Sequence, residues 1–166
     1  MRTLPLVVLA FPLAFALGFA ACAASSAEVH TAKATVYQGD GGQLLALAQQ
    51  AAGDKHYKLG AVDDGHLMFE TQPIFYSAEG DLQTPGAGSY TLVQNHSVKV
   101  SFVVELQGVA DRQFAVRVTP HTYEYLAGSP QLRPLEPDDP NLPPWIHGRA
   151  DALQLAIYDR AKSLAR

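Results

Sequence analysis

Residues 97–107, SVKVSFVVELQ, have the clearest strand pattern of the chain, and residues 113–119, QFAVRVT, follow after a short turn. Successive side chains of a β-strand point to opposite faces of a sheet, and both stretches alternate apolar with polar residues. In the first stretch, one face receives five apolar side chains: Val98, Val100, Phe102, Val104 and Leu106. In the second, the same alternation involves Phe114, Val116 and Val118. We predict two long antiparallel strands with one buried face and one face in water.

The segment before this hairpin contains a predicted strand and a predicted helix. In residues 28–37, small apolar residues alternate with Thr and Lys, which favours a half-buried strand. Residues 40–52 have Leu and Ala at the spacing of one helical stripe. Asp40 can cap this helix together with Gln43, and Gly53 is expected to end it.

A second hairpin is predicted between that helix and the long strands. Residues 57–62 and 67–71 read as strands that flank Asp64-Gly65, a dipeptide typical of tight hairpin turns. With Asp64 and Gly65 as the two turn residues, Val62 opposes Leu67 and Gly60 opposes Phe69.

The C-terminal part is predicted to be an extended segment followed by a helix. Residues 128–144 contain six prolines, a density that excludes both helix and central strand. The apolar residues after Trp145 then recur every three or four positions: Ala150, Leu153, Ile157, Ala161 and Leu164. We predict an α+β domain of two layers, in which one antiparallel sheet of about 4–6 strands carries two helices on one face.

The N-terminal 21 residues have the pattern of a secretory signal peptide. Arg2 is the one charged side chain of this segment, and residues 4–21 form an uncharged stretch rich in Leu, Val, Ala and Phe. Ser25, Ser26 and Glu28 end the apolar run. We exclude residues 1–21 from fold reasoning. A retained transmembrane anchor is an alternative, because the run is nearly as long as the roughly 20 residues that a spanning helix needs.

The junction Phe19-Ala20-Ala21-Cys22-Ala23 resembles the lipobox of bacterial lipoproteins, with Phe19 where Leu is usual. The resemblance implies that Cys22 is acylated and becomes the mature N-terminus, and that Ala23 after it directs the protein to the outer membrane. Cys22 is also the single cysteine, so it has no partner for an internal disulfide. The alternative is cleavage after Ala23 or Ala27, which would release a soluble periplasmic protein.

Removal of residues 1–21 leaves 145 residues, enough for one domain. We assign residues 22–28 to the lipidated N-terminus and a short tether, and residues 29–166 to the domain. Without Arg2, 11 Lys and Arg side chains face 16 Asp and Glu side chains, and no basic cluster exists. Nucleic acid is therefore not expected as a partner. The membrane is expected to be bound through the acyl chains on Cys22.

Residues 44–71 carry a second resemblance. A helix with an Ala-rich end runs into Tyr57-Lys58-Leu59, a turn contains Asp63 and Gly65, and a strand closes on Glu70-Thr71. This order is similar to the helix-grip-like modules of BamC-type outer-membrane lipoproteins. The resemblance implies a domain that binds or scaffolds rather than catalyses.

A search for chemistry along the chain predicts no catalytic residues, no metal site and no cofactor. The histidines have no metal-ligand spacing and are expected at solvent-facing or edge positions: His30, His56, His66, His96, His121 and His147. The glycines of residues 39–42 lack the Gly-Lys-Ser/Thr ending of a phosphate-binding loop. No Gly-x-Ser-x-Gly elbow is present. The protein is therefore not expected to be an enzyme.

Two segments are predicted as binding surfaces. The long connection of residues 73–90 carries Phe75 and Tyr76, and the proline-rich segment leads to Trp145. The alternative is that these aromatic side chains fold back and cap the sheet. The preferred hypothesis is a non-catalytic envelope lipoprotein that binds or scaffolds another envelope component. The alternative hypothesis is a periplasmic domain that holds a small apolar ligand between the sheet and the C-terminal helix.

Overall fold

A computed structural model of the chain describes residues 25–83, 93–129 and 131–166. Within these ranges three helices and eight strands form an α+β structure with one antiparallel sheet. The helices are α1 Ser26–Ala34, α2 Gly41–Asp54 and α3 Trp145–Ala161. The strands are β1 Val36–Gln38, β2 Leu59–Asp63, β3 Met68–Thr71, β4 Ile74–Tyr76, β5 Leu82–Gln83, β6 Val98–Ala110, β7 Gln113–Glu124 and β8 Arg133–Leu135. None of the described helices is both long and apolar enough to span a membrane.

The predicted long hairpin, β6 and β7, is the centre of the sheet. Its register runs from Val98 opposite Glu124 to Gly108 opposite Phe114. All five predicted inward side chains of β6 are buried. β7 continues past the predicted end at Thr119 to Glu124. Pro120 has no N–H to donate, but it lies opposite Phe102 in the ladder and does not end the strand.

The short strands extend the sheet on both sides of this hairpin. β3 and β4 pair with successive parts of β6, and β2 and β5 lie outside them. On the other side, β1 pairs with residues 113–115 of β7 and β8 pairs with residues 122–124. Along this edge, none of the described strands pairs with residues 116–121 of β7.

The helices cover one face of the sheet. α2 and α3 contact each other, α3 also contacts α1 and β7, and α2 contacts β3 and β6. The layer between helices and sheet contains the largest fully buried apolar side chains: Tyr37, Leu44, Phe69, Phe102, Ile146, Leu153 and Ile157. The predicted α+β class is confirmed. The predicted numbers were too low, since the described residues form three helices instead of two and eight strands instead of 4–6.

The predicted strand over residues 28–37 is wrong. Residues 26–34 form α1, and only residues 36–38 form a strand. Ser25 and Glu28 form a reciprocal capping box at the start of α1. The hydroxyl of Thr31 donates to the carbonyl of Ala27 at 2.9 Å, so this β-branched residue is compatible with the helix. Local capping therefore overrides a weak alternation of small residues.

The predicted helix over residues 40–52 is confirmed at its start, where the Asp40 carboxylate accepts from the backbone N–H of Gln43 at 2.9 Å. Its end was predicted wrongly. Gly53 lies inside α2, and the chain leaves the helix at Lys55, whose N–H donates to the carbonyls of Ala51 and Ala52. His56 supplies the left-handed backbone conformation at φ 64°.

The predicted register of the second hairpin is also wrong. Val62 opposes Phe69 and Asp63 opposes Met68, so residues 64–67 form the turn. The Asp63 carboxylate accepts from the His66 N–H at 3.0 Å and lies 2.7 Å from His66 Nδ1. These bonds stabilise a four-residue turn in place of the predicted two-residue turn.

Candidate functional site

The face of the sheet opposite the helices, which we call the open face, carries the candidate site. Because side chains alternate along a strand, it receives the residues of β6 and β7 that lie between the buried ones. These residues are mostly polar: Lys99, Ser101, Val103, Glu105 and Gln107 from β6, and Arg117, Thr119, His121 and Tyr123 from β7. No described helix packs on this face.

Three polar side chains meet near the middle of the open face. The hydroxyl of Ser101 donates to Glu70 Oε1 at 2.5 Å, and His121 Nδ1 lies 3.3 Å from the same oxygen. Ser101 and His121 are directly opposite each other on β6 and β7, and β3 brings Glu70 beside them. Ser101 is buried, while about half of the His121 side chain is exposed. The buried serine therefore fixes the position of the Glu70 carboxylate by its hydrogen bond.

This trio has the residue types of a nucleophile, a base and an acid but not their arrangement. A serine nucleophile needs its hydroxyl hydrogen-bonded to the base, which is oriented by the acid. Here Ser101 and His121 both approach Glu70, so the carboxylate is in the centre. The arrangement fixes a hydrogen-bond acceptor at the surface, which suits binding.

A row of larger side chains crosses the open face beside this trio. Phe75 on β4, Lys99 on β6 and Tyr123 on β7 are aligned in register. The Lys99 ammonium lies 5.9 Å from the centroid of the Tyr123 ring, and Tyr123 is 38% exposed. Partly exposed aromatic side chains next to hydrogen-bonding groups are typical of the residues that dominate protein interfaces.

The row and the trio border the same shallow depression. It has a volume of about 330 Å³, and its lining includes Glu70, Lys99, Ser101 and Tyr123. The Glu70 carboxylate and the Lys99 ammonium thus face one recess with opposite charges. A partner that inserts a polar side chain there would meet both an acceptor and a donor.

Of the three predicted binding residues, Phe75 lies on the open face, whereas Tyr76 and Trp145 meet on the other side of the sheet. Tyr76 is buried, and its ring centroid is 5.2 Å from that of Trp145 in an edge-to-face arrangement. The Arg149 guanidinium stacks 4.4 Å from the Tyr76 centroid. Trp145 Nε1 donates to the carbonyl of Ala78 at 2.8 Å. These contacts join the start of α3 to the loop after β4.

The role of these aromatic residues in partner binding stays a prediction. The positions of Tyr76 and Trp145 agree with the alternative given above, in which these aromatic side chains fold back and cap the sheet. Phe75 is the one of the three whose cross-strand neighbours, Gln83 and Lys99, share the open face with it. We therefore retain Phe75 as part of the candidate site.

Glu70, Ser101, His121 and Tyr123 were missed by sequence reasoning. Alternation already placed Ser101 on the outward face of β6. The pairing of β3 with β6 brings Glu70 to Ser101 across 31 residues of sequence, and no local sequence pattern predicts this pairing. The sequence indicated this site only through polar residues at the outward positions of the predicted strands.

The histidines agree with their predicted positions, since all six are exposed. Within the described ranges no group of three His, Cys, Asp or Glu side chains is arranged to hold a metal ion. The space predicted to hold an apolar ligand in the alternative hypothesis is occupied by the buried side chains of Phe102, Val104 and Ile157, and Leu164 packs against them. A ligand there would have to displace these side chains.

The predicted signal peptide of residues 1–21 and the predicted acylation site Cys22 lie outside the described residues. So does the part of the long connection at residues 84–92. The first described residue, Ser25, is the N-cap of α1.

A scan against protein-family models found no match for this chain. A search of the curated proteins also found no match.

Proposed function

We propose that this protein is a non-catalytic cell-envelope lipoprotein that binds or scaffolds another envelope component through the open face of its sheet. The observation that carries the proposal is the contrast between the two faces. One face is filled by the helices, and the other presents the Glu70, Ser101 and His121 trio beside Phe75 and Tyr123. Binding at the surface needs no cavity in the core.

The anchor in this proposal is Cys22, acylated in the outer membrane on the leaflet that faces the periplasm. α1 is capped at Ser25, three residues after Cys22, and three extended residues span about 10 Å at most. The tether is then shorter than the predicted residues 22–28, because Ser25 caps α1 and residues 26–28 belong to that helix. The domain would stay next to the membrane and receive partners there.

The hydrogen bonds of the candidate site support binding rather than catalysis. The Ser101 hydroxyl donates to the Glu70 carboxylate, and His121 approaches the same carboxylate oxygen, so the serine–histidine contact of a catalytic triad is not made. The fixed carboxylate of Glu70 and the nearby Lys99 instead offer directional contacts to a polar partner. The aromatic side chains of Phe75 and Tyr123 add apolar contact area.

Intact mass of the protein from membrane and soluble fractions tests the anchor. The wild type is expected in the membrane fraction, beginning at Cys22 with added acyl mass, and Cys22→Ala is expected to lose both. An unmodified soluble wild type that begins at Ala24 or Glu28 would contradict the lipoprotein assignment.

Photo-crosslinking in intact cells tests the binding face. A benzophenone amino acid is placed at Phe75 or at Tyr123, with Ala152 on the exposed side of α3 as the matched control. We expect a discrete adduct with an envelope component at both open-face positions and none at Ala152. Adducts only at Ala152, or none at any position, would contradict the proposed role of the open face.

A further inference from the structure

One edge of the sheet is apolar and unpaired. Five large hydrophobic side chains are exposed among the described residues, and three of them lie in the outermost strands β2 and β5: Leu59, Val62 and Leu82. Every residue of β2 is exposed. No described strand pairs with the outer side of β2, so its outward N–H and C=O groups are free to accept another strand.

The two ends of β2 carry opposite charges. Lys58 precedes the strand, and Asp63 and Asp64 close it. Leu59 opposes Thr71, and Val62 opposes Phe69. Because Thr71 and Phe69 are buried under the helices, Leu59 and Val62 also lie on the helix side of the sheet. Asp63 opposes Met68, which opposes Glu105 on the open face. By alternation, Lys58 also points to the open face.

This distribution makes the strand complementary to itself in the antiparallel direction. A two-fold axis through the Gly60–Ala61 segment reverses one copy against the other. Leu59 of each copy then approaches Val62 of the other on the helix side. On the open side, Lys58 approaches Asp63 of the other copy, which places opposite charges together twice.

We propose that two copies of this protein pair through their β2 edges, antiparallel and about a two-fold axis, so that the two sheets form one continuous sheet. Such a contact is isologous, because each copy contributes the same patch. The partner is a second copy because β2 has a positive charge at one end and negative charges at the other. A reversed copy of the same strand places each charge next to a charge of the opposite sign. An unrelated strand would need the same order of charges to pair in this way.

Charged side chains and bulges at sheet edges also serve to prevent pairing. β2 has a register irregularity between Leu59 and Val62, and it brings these two side chains, three residues apart, onto the same face of the sheet. Charges protect a sheet edge when like charges of two strands would repel each other. Along β2, the order of the charges instead produces attraction between one copy and a reversed second copy. The two exposed apolar side chains favour contact as well.

The pairing goes beyond the proposed function and does not depend on acylation of Cys22 or on the open face. Its test uses the full chain with Ala61→Cys, which places a thiol beside the two-fold axis. The matched control is Val109→Cys at the tip of the β6–β7 hairpin, where the side chain is also exposed. Wild-type protein gives the baseline for any reaction of Cys22.

Oxidative crosslinking in intact cells, read on non-reducing gels, is expected to give a covalent dimer for Ala61→Cys and none above the baseline for Val109→Cys. Equal dimer in both variants, or none in either, would overturn the pairing. A charge exchange then tests the register in the Ala61→Cys background. Lys58→Asp is expected to lower the crosslinked fraction about threefold, a modest loss typical of exposed ion pairs. Because Asp63→Lys also removes the bonds to His66, the double variant Lys58→Asp, Asp63→Lys is compared with Asp63→Lys alone, and it is expected to crosslink about threefold more. Equal crosslinking in these two variants would overturn the antiparallel register.

Discussion

The side-chain amide of Gln154 donates to the main-chain carbonyl of Ala32 at 3.2 Å, and the same nitrogen lies 3.2 Å from the carbonyl oxygen of Val116. Gln154 is 2% exposed, on the buried side of α3. The carbonyls at the C-terminal end of a helix have no partner within that helix. One glutamine thus joins α3 both to the end of α1 and to the unpaired part of the β7 edge.

We expect Gln154→Leu to lower the free energy of unfolding by about 1–3 kcal/mol, because two buried carbonyls lose their donor. Amide exchange in α1 should accelerate more than exchange in β6. Urea denaturation and hydrogen exchange measure the two effects, with Gln72→Leu at an exposed position as the control. Unchanged exchange in α1 would mean that other contacts, such as Lys33 with Asp151, suffice to hold the helix.

Glu124 is predicted to make stability depend on pH. Burial acts to raise the pKa of this carboxyl group, but hydrogen bonds from His96 and Arg133 outweigh burial and lower the pKa below its ordinary value. A group with a lowered folded-state pKa stabilises the fold above its unfolded pKa of about 4.3. That contribution is lost as the pH falls through the folded-state value.

The wild type should therefore lose stability more steeply below about pH 4 than Glu124→Gln does. At pH 7 the variant should be less stable by about 1–3 kcal/mol, since charge-assisted bonds to Arg133 are weakened. Denaturation curves between pH 3 and pH 7 measure both, with the exposed Glu136→Gln as the control. Parallel stability curves for wild type and Glu124→Gln would contradict the role of Glu124.

Two glycine substitutions are predicted to act in opposite directions. Gly80 has φ 98°, and an added Cβ would lie 3.2 Å from the Trp145 ring. Gly80→Ala should therefore destabilise the protein by about 1–3 kcal/mol. Gly53 lies in α2 with no atom within 4 Å of an added Cβ, so Gly53→Ala should stabilise it by about 0.5–1 kcal/mol. Thermal unfolding followed by circular dichroism compares the two, and equal effects would contradict the packing of Trp145 on the loop.

Tyr123→Ala is predicted to weaken partner capture without unfolding the domain. As an aromatic hot spot of the interface, Tyr123 should contribute about 2 kcal/mol or more to binding, so the adduct formed from a photo-reactive residue at Phe75 should fall by about tenfold or more. The melting temperature should change little, because Tyr123 is exposed on the open face. Val109→Ala, exposed at the hairpin tip, should leave the adduct unchanged. A stable Tyr123→Ala protein with undiminished adduct would remove Tyr123 from the binding face.

The long elements of the fold could be predicted because their periodicity is strong. β6 and β7 alternate over more than ten residues, and α2 and α3 keep an apolar stripe over several turns. The short strands β4, β5 and β8 have two or three residues each, and pairing with neighbours defines them rather than their own sequence. α1 was missed because its capping box lay in residues assigned to a tether.

The candidate site could be predicted only as a set of outward positions. Alternation places Lys99 and Ser101 on the face away from the core, as the structure confirms. The contact of Ser101 with Glu70 depends on the register between strands 31 residues apart, and the bond from Trp145 to Ala78 spans 67 residues. Such long-range contacts arise from packing of the whole domain, which no local sequence pattern encodes.

The two edges of the sheet differ in a way that limits how many copies could assemble. On the side of β7, Arg166 donates to the Val36 carbonyl outside β1, β8 has a proline at its centre, and Pro120 interrupts the gap between them. On the β7 side, the described strands of a chain that pairs through β2 therefore present no second edge of the same kind. Growth would stop at a closed pair, and the protein would be protected against the open-ended fibrils that a sheet with two free edges can form.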